Sequence, residues 1–367
     1  MSTLQPALQF LIQAAIILIA CRLLGALMVR IGQPRVIGEM VAGILLGPSL
    51  LGLVAPEIHA ALFPPASTGA LSNVSKIGLV LYMFGVGTHL QTGVIRQAFR
   101  SALFISLTGI IVPFILGAGL AVLLHADGRF FATNVTPSLS MIYLGAAMAI
   151  TAFPVLARII EERGIGGTAL GTLALAAGAT DDAVAWCLLA VVLVSVNPEF
   201  NVVGFLGSHA VFLAFLAGAL LPRNLSTRDW TRRVEFVASA ILVPLFFAYS
   251  GMSTRLSLLW SRELLLVSVV VIVTASVGKG LACWGAARLT GREHREAMAI
   301  GALMNARGLM ELIMLNIGLE HGLITPTLFT VMVIMTLATT IAAGPLFEWA
   351  WRGSPQQVNH VAGIRAH

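Results

Sequence analysis

Charge is what this sequence has least of. Only 10% of its 367 residues are Asp, Glu, Lys or Arg, against roughly 25% in soluble globular domains. With 58% hydrophobic residues and a mean hydropathy of +0.93, an ordinary soluble domain is excluded and the lipid bilayer becomes the chain's solvent. The formal net charge of +6 then reads as loop bias rather than a nucleic-acid surface. Cysteine is scarce as well. Cys21, Cys187 and Cys283 all sit in apolar runs and read as small packing residues, not as a disulfide framework or thiolate metal site. Catalytic signatures are missing too. EHRE at 293–296 lacks the spacing of a zinc-binding HExxH, no GxGD accompanies the membrane carboxylates, and no GxGxxG follows the last apolar run. Neither an enzyme nor a resident cofactor is expected.

What the chain does have is long apolar runs. At the length that a hydrocarbon core of roughly 30 Å requires, about eleven spans are expected: 6–29, 36–54, 76–94, 101–124, 138–158, 168–195, 202–221, 235–253, 264–287, 297–319 and 326–350. Turn residues fill the gaps, as at Gly32–Gln33–Pro34, Pro64–Pro65 and Asn197–Pro198. The first run has no basic leader segment and reads as a span rather than a cleaved signal. The sequence organises as one membrane domain over 1–367, with a first span over 1–30, the main body over 36–350 and a short tail over 351–367.

Basic residues test that count. With the N-terminus outside, the inner segments hold Arg30, Arg35, Arg96, Arg100, Arg158, Arg163, Arg223, Arg228, Arg232, Arg233, Arg288, Arg292, Arg295, Arg352 and Arg365. The outer segments hold Lys76, Arg129, Arg255 and Arg262. A bias of fifteen to four supports eleven spans in a multi-pass cell-membrane protein, N-terminus outside and C-terminus cytoplasmic.

The few charges inside the spans mark the chemistry, because an ionised side chain at the bilayer centre costs at least about 2.5 kcal/mol. In GATDDAVAW, residues 178–186, Asp181 and Asp182 are the only ionised groups between Gly166 and Val196. Such a pair needs water, a counter-ion or a transported cation. Glu39 lies near one end of the second span, in a run whose Gly43 and Gly47 permit close helix approach. Lys279 sits a turn or two from the end of its helix, where its ammonium can snorkel to the interface. Arg307, in LMNARGLMELIML with Asn305 before it, lies too deep for that and needs an anion. Glu311, four residues on, can pair with it locally, and so can the aspartates across the bundle. Adjacent helix residues point about 100° apart, so Asp181 and Asp182 need not do the same job.

Two stretches read as broken helices. AMAITAFPVLARII, residues 147–160, has Pro154 to remove a backbone bond and Thr151 beside the interruption. MTLATTIAAGPLF, residues 335–347, has Thr339, Thr340 and then Gly344–Pro345. Breaks in matching positions of two halves suggest inverted repeats whose freed carbonyls and half-helix ends can bind a cation. The fold class is thus all-α and polytopic, with inverted repeats and two broken helices, which cross in the family that the motifs below resemble.

The combination GEMVAGILLGPSLLG, LYMFGVGTHL, ITAFPVLARII, ATDDAVAW, HAVFLAFLAGALLP, LFFAYSGM and LMNARGLMELIMLNIGL resembles the monovalent cation:proton antiporter-2 family over about residues 30–350. The resemblance implies a homodimer exchanging Na⁺ or K⁺ for H⁺, with a separate dimerisation domain beside the core. It implies that Asp182 is the cation- and proton-binding carboxylate, and that Asp181 is its partner, held by the basic residue of the later helix, here Arg307; Asp181, Thr151 and backbone oxygens are expected to complete the oxygen coordination of the cation. Thr151 matches the unwound crossing, and Glu311, Asn305, Lys279 and Glu39 are supporting candidates. The chain departs from the pattern in length. Only SVNPEFNVVGFLGS separates the aspartate helix from HAVFLAFLAGALLP, where the family carries roughly fifty more residues. A Na⁺- or H⁺-coupled solute symporter is the main alternative, and a non-transporting shortened homologue the other.

Overall fold

A computed structural model of the chain describes residues 6–88, 92–166, 168–196, 210–221, 230, 233–234, 236–256 and 261–352. Its helices are α1 (Pro6–Arg30), α2 (Arg35–Leu46), α3 (Leu51–Val54), α4 (Pro56–Leu62), α5 (Pro65–Thr88), α6 (Thr92–Asp127), α7 (Pro137–Ala149), α8 (Phe153–Glu162) and α9 (Ala169–Val196). There follow α10 (Ala210–Leu220), a π-helical turn (Ala238–Leu242) running into α11 (Val243–Met252), α12 (Arg262–Leu289), α13 (His294–Leu303), α14 (Leu309–Glu320) and α15 (Pro326–Trp351). Of the spans read from the sequence, the start of 202–221 and the tail from residue 353 lie outside the described residues.

Six helical segments among the described residues are long and apolar enough to cross a membrane. Two further crossings are interrupted ones, α7 with α8 and α13 with α14. Adding α5, α10 and the α11 segment gives the eleven expected spans.

The chain forms two compact units. The first comprises Met1–Leu90 and Asn197–Trp260, the second Gln91–Val196 and Ser261–His367. In the first unit α2 packs on α1 and α11, and α5 on α10. The α2–α11 contact is a backbone contact. A Cβ on Gly43 would lie 2.0 Å from the carbonyl oxygen of Ala248, and one on Gly47 would lie 2.9 Å from Met252 Cα. The small residues at these two positions therefore serve close approach. Glu39, half-buried on α2, belongs to this unit.

The second unit repeats one pattern twice: a long helix, an interrupted helix, a long helix. The first copy is α6, α7–α8, α9, and the second is α12, α13–α14, α15. Among the described residues the two copies share this order of elements along the chain. Matching start signals recur. Thr136 caps α7 before Pro137, and Thr325 caps α15 before Pro326, each hydroxyl accepting an N–H from the first turn. The connections after α6 and α14 are tied at one face by the Thr325 N–H to the Phe130 carbonyl (3.0 Å).

The first interruption is residues Ile150, Thr151 and Ala152, at the position expected. Pro154 lies in the opening turn of α8, where its missing N–H costs nothing. The second interruption is not at Gly344–Pro345. The α15 helix runs unbroken from Pro326 to Trp351 with Pro345 inside it, as membrane helices tolerate. The break falls instead at Met304–Gly308, inside the span that reads as continuous from sequence. Thr340, assigned from sequence to a break in its own helix, closes this other one: the Arg307 N–H donates to its hydroxyl (3.0 Å), which donates to the Arg307 carbonyl (2.9 Å). The two interruptions cross, with the Ala152 N–H donating to the Ala306 carbonyl at 3.0 Å.

Candidate ion-binding site

The middle of α9 carries both aspartates, each 1% exposed. Asp181 is saturated with donors. Its Oδ1 accepts from the Ser106 hydroxyl of α6 at 2.5 Å, and its Oδ2 lies 2.7 Å from Thr151 Oγ1 and 2.8 Å from Lys279 Nζ. Asp182 is provided for differently. Its Oδ1 accepts the Phe153 N–H at 3.3 Å, and its buried Oδ2 has no hydrogen-bond partner among the described residues. Phe153 opens α8, so Asp182 faces a half-helix N-terminus, where backbone dipoles favour negative charge.

The counter-ion of Asp181 is Lys279, which corrects two sequence expectations at once. Lys279 does not snorkel. It is fully buried, 0% exposed, and besides Asp181 it donates to the Ala149 carbonyl at the end of α7. It lies ten residues before the end of α12, about 15 Å along the axis, which is roughly half the hydrocarbon thickness.

Arg307 does not compensate the aspartates. It lies in the second interruption, and its guanidinium reaches the free carbonyls of the first: Ala147 and Ile150 at 3.3 Å, Met148 at 2.7 Å. Its charge is answered by Glu311, 3.6 Å away and fully buried. Lys279 and Arg307 together thus occupy the carbonyls of residues 147–150 that α7 leaves unbonded at its C-terminus, where cations are favoured. Asn305, also in the second interruption and 4% exposed, donates to the Gly301 carbonyl at 3.0 Å. Thr151 shares its proton between Asp181 and the Met304 carbonyl, 3.0 Å away, and so joins the acid site to the second break.

The second unit therefore brings together Asp181, Asp182, Thr151, Lys279, Arg307, Glu311 and Asn305. The residue that sequence reasoning missed is Ser106. A serine in an apolar helix carries no mark of its own, and the one available hint was its depth inside a membrane span. Chemically, the site offers one carboxylate with donors on both oxygens beside a second with a buried oxygen that has no partner among the described residues. Such an oxygen suits a proton or a hard monovalent cation. Either neutralises the same charge, so the two compete.

Comparison with known proteins identifies the family and the fold. The family model for the sodium/hydrogen exchanger transmembrane domain matches residues 15–206 and 200–353. Its two parts overlap at residues 200–206. The Na⁺/H⁺ antiporter NhaS4 of Synechocystis is 39% identical over 92% of this chain and 96% of its own length. Cation/H⁺ antiporter 17 of Arabidopsis thaliana is 32% identical over 94% of this chain, which spans 48% of that longer protein. The Na⁺/H⁺-K⁺ antiporter GerN of Bacillus cereus is 25% identical, with 94% and 96% covered. In fold, the sodium proton antiporter MjNhaP1 of Methanocaldococcus jannaschii superposes with a TM-score of 0.64 at 13% identity, covering 95% of this chain and 98% of that one. The chain belongs to the sodium/hydrogen exchanger transmembrane family.

Proposed function

We propose that this multi-pass membrane protein exchanges a monovalent cation, Na⁺ or K⁺, for H⁺ by alternating access, with Asp182 as the shared site. The observation that carries the assignment is the contrast between the neighbouring carboxylates. Asp181 has three donors on its two oxygens, while Asp182 keeps a buried oxygen without a partner among the described residues. A proton or a cation can take that oxygen, but not both, and a site that crosses only when loaded turns the competition into antiport. Asp181 and Thr151, read from the sequence as ligands, take the supporting part instead. They fix the charge beside the site and tie it to the crossing of the two interruptions. Relatives that match nearly end to end carry antiporter names, which favours exchange over solute symport. We place the protein in the cell membrane with its C-terminus cytoplasmic, on the basic-residue bias, and read it as a homodimer.

The test is pH-driven exchange in proteoliposomes with Na⁺, K⁺ and Li⁺. Wild type is expected to exchange at least one of them without a third solute. Asp182→Asn should lose at least about 100-fold while remaining folded, since the cost of an unliganded cation in a buried site is several kcal/mol. Exchange by Asp182→Asn at the wild-type rate would overturn the assignment.

A further inference from the structure

The second unit holds a cavity of about 380 Å³ between α12, α13 and α15, within the size range of small-molecule sites. Small residues make room for it. A Cβ on Gly301 would lie 2.5 Å from the Gly280 carbonyl oxygen, so α12 and α13 meet there through their backbones. Ala302 beside them adds only a methyl. The mouth is apolar: Val277, Leu281, Leu346 and Trp349 line the cavity and are exposed, on two helices long enough to span the membrane. In a bilayer these four face acyl chains. Two polar side chains of the lining each keep one atom unsatisfied. Asn305, 4% exposed, donates its amide N–H to the Gly301 carbonyl at 3.0 Å. That carbonyl can only accept, so Oδ1 is the atom left over, buried with no partner among the described residues. Trp284 Nε1, which can only donate, is likewise buried without a partner among them. Its ring meets His294 edge-on, with centroids 5.7 Å apart. One side chain lacks a donor and the other lacks an acceptor.

We propose that this cavity binds an uncharged amphiphile from the bilayer, whose hydroxyl donates to Asn305 Oδ1 and accepts from the Trp284 N–H while its alkyl chain lies along the apolar mouth. A hydroxyl meets both needs with one atom, since it donates and accepts. Water alone fits poorly. Filling the space would take about a dozen molecules at roughly 30 Å³ each, against a lining in which only Ser276, Trp284, His294 and Asn305 have polar side chains. A bare acyl chain leaves both buried atoms unsatisfied. An ionised carboxylate brings no donor for Oδ1 and carries its charge into apolar surroundings. Neither aspartate of α9 lines the cavity, so its occupancy can be read without any ion flux.

The experiment is photolabelling of the full chain in lipid nanodiscs with a diazirine-bearing dodecanol, mapped by peptide mass spectrometry. Competitors are 1-dodecanol, its methyl ether and dodecane. Label is expected on the lining segments 276–284, 298–305 and 346–350. 1-Dodecanol should compete at about tenfold lower concentration than the ether, which can accept from Trp284 but has no proton for Asn305, the scale of one unsatisfied buried acceptor. Dodecane should compete least. Trp284→Phe keeps the ring, removes the N–H and should weaken labelling about tenfold. Ala302→Leu, which fills the cavity, should abolish it. Thermal unfolding in detergent establishes that each variant is folded, and the comparison of alcohol with ether on wild type carries the test if neither is. Absence of label from the cavity, label spread evenly over lipid-facing residues, equal competition by alcohol and ether, or unchanged labelling of folded Trp284→Phe would each overturn the assignment.

Discussion

The two copies of the helix pattern in the second unit share an architecture and differ in charge. The first copy, α6 to α9, supplies the acids Asp181 and Asp182 and has no cation at its interruption. The second copy, α12 to α15, supplies Lys279 and, inside its own interruption, Arg307 with Glu311. Each copy completes the other. The free carbonyls of the first break are taken by cations of the second copy, and the second break is held by Thr151, by the Ala152 N–H and by Thr340. The lesson is that broken helices are affordable in a bilayer when the missing bonds are supplied from a partner element. Here that partner is the chain's own second repeat.

Changes that break this reciprocity should scale with how many such bonds they remove. The largest effect is expected for Arg307→Ala, which uncaps three carbonyls and leaves Glu311 as an unpaired buried charge. Removing one partner of a buried ion pair costs about 3–5 kcal/mol, and thermal unfolding in detergent should place this variant at the upper end or beyond. Arg307→Lys should recover only part, since an ammonium cannot reach carbonyls on both sides as the planar guanidinium does. Next comes Lys279→Met, which strands Asp181 and should cost about 3–4 kcal/mol. Combining it with Asp181→Asn should return most of that loss. A double variant no more stable than Lys279→Met alone would show that the pair is not the source of the effect. Thr340→Val removes two hydrogen bonds from the second break and should cost about 2 kcal/mol by the same measurement. At the bottom of the scale is Arg129→Gln. Arg129 contacts Asp127 and Glu263 at an exposed position between α6 and α7, where salt screens such pairs. Its unfolding midpoint should match wild type in moderate salt, confining the importance of charge to the interior.

Much of this was legible in the sequence, for reasons that are physical. Apolar length and the Arg bias between faces fix the number of spans. Two acids in an apolar run mark the site because nothing else makes them tolerable. Thr151 with Pro154 announces the first break through the loss of an N–H. The second break has no proline. Asn305, Ala306, Arg307 and Gly308 interrupt the helix by what they bond to across the bundle, and a linear reading sees only a helix with an arginine in it. The same limit misplaced the counter-ion. Along the chain, Arg307 looks deep and Lys279 looks peripheral, whereas the long α12 carries Lys279 to Asp181 and the crossing carries Arg307 to backbone carbonyls. Gly344–Pro345 misled in the other direction, since the helix absorbs that proline.

The pairing of Asp181 with Lys279 also sets a problem of timing. The two are 98 residues apart in sequence, so at synthesis rates of about 5–20 residues per second the acid precedes its cation by on the order of 5–20 s. During that interval the aspartates are in the nascent chain with only the first copy's groups, Ser106, Thr151 and the Phe153 N–H, available to them. A first repeat carrying two acids must therefore wait, protonated or near water, until its basic counterpart has been made.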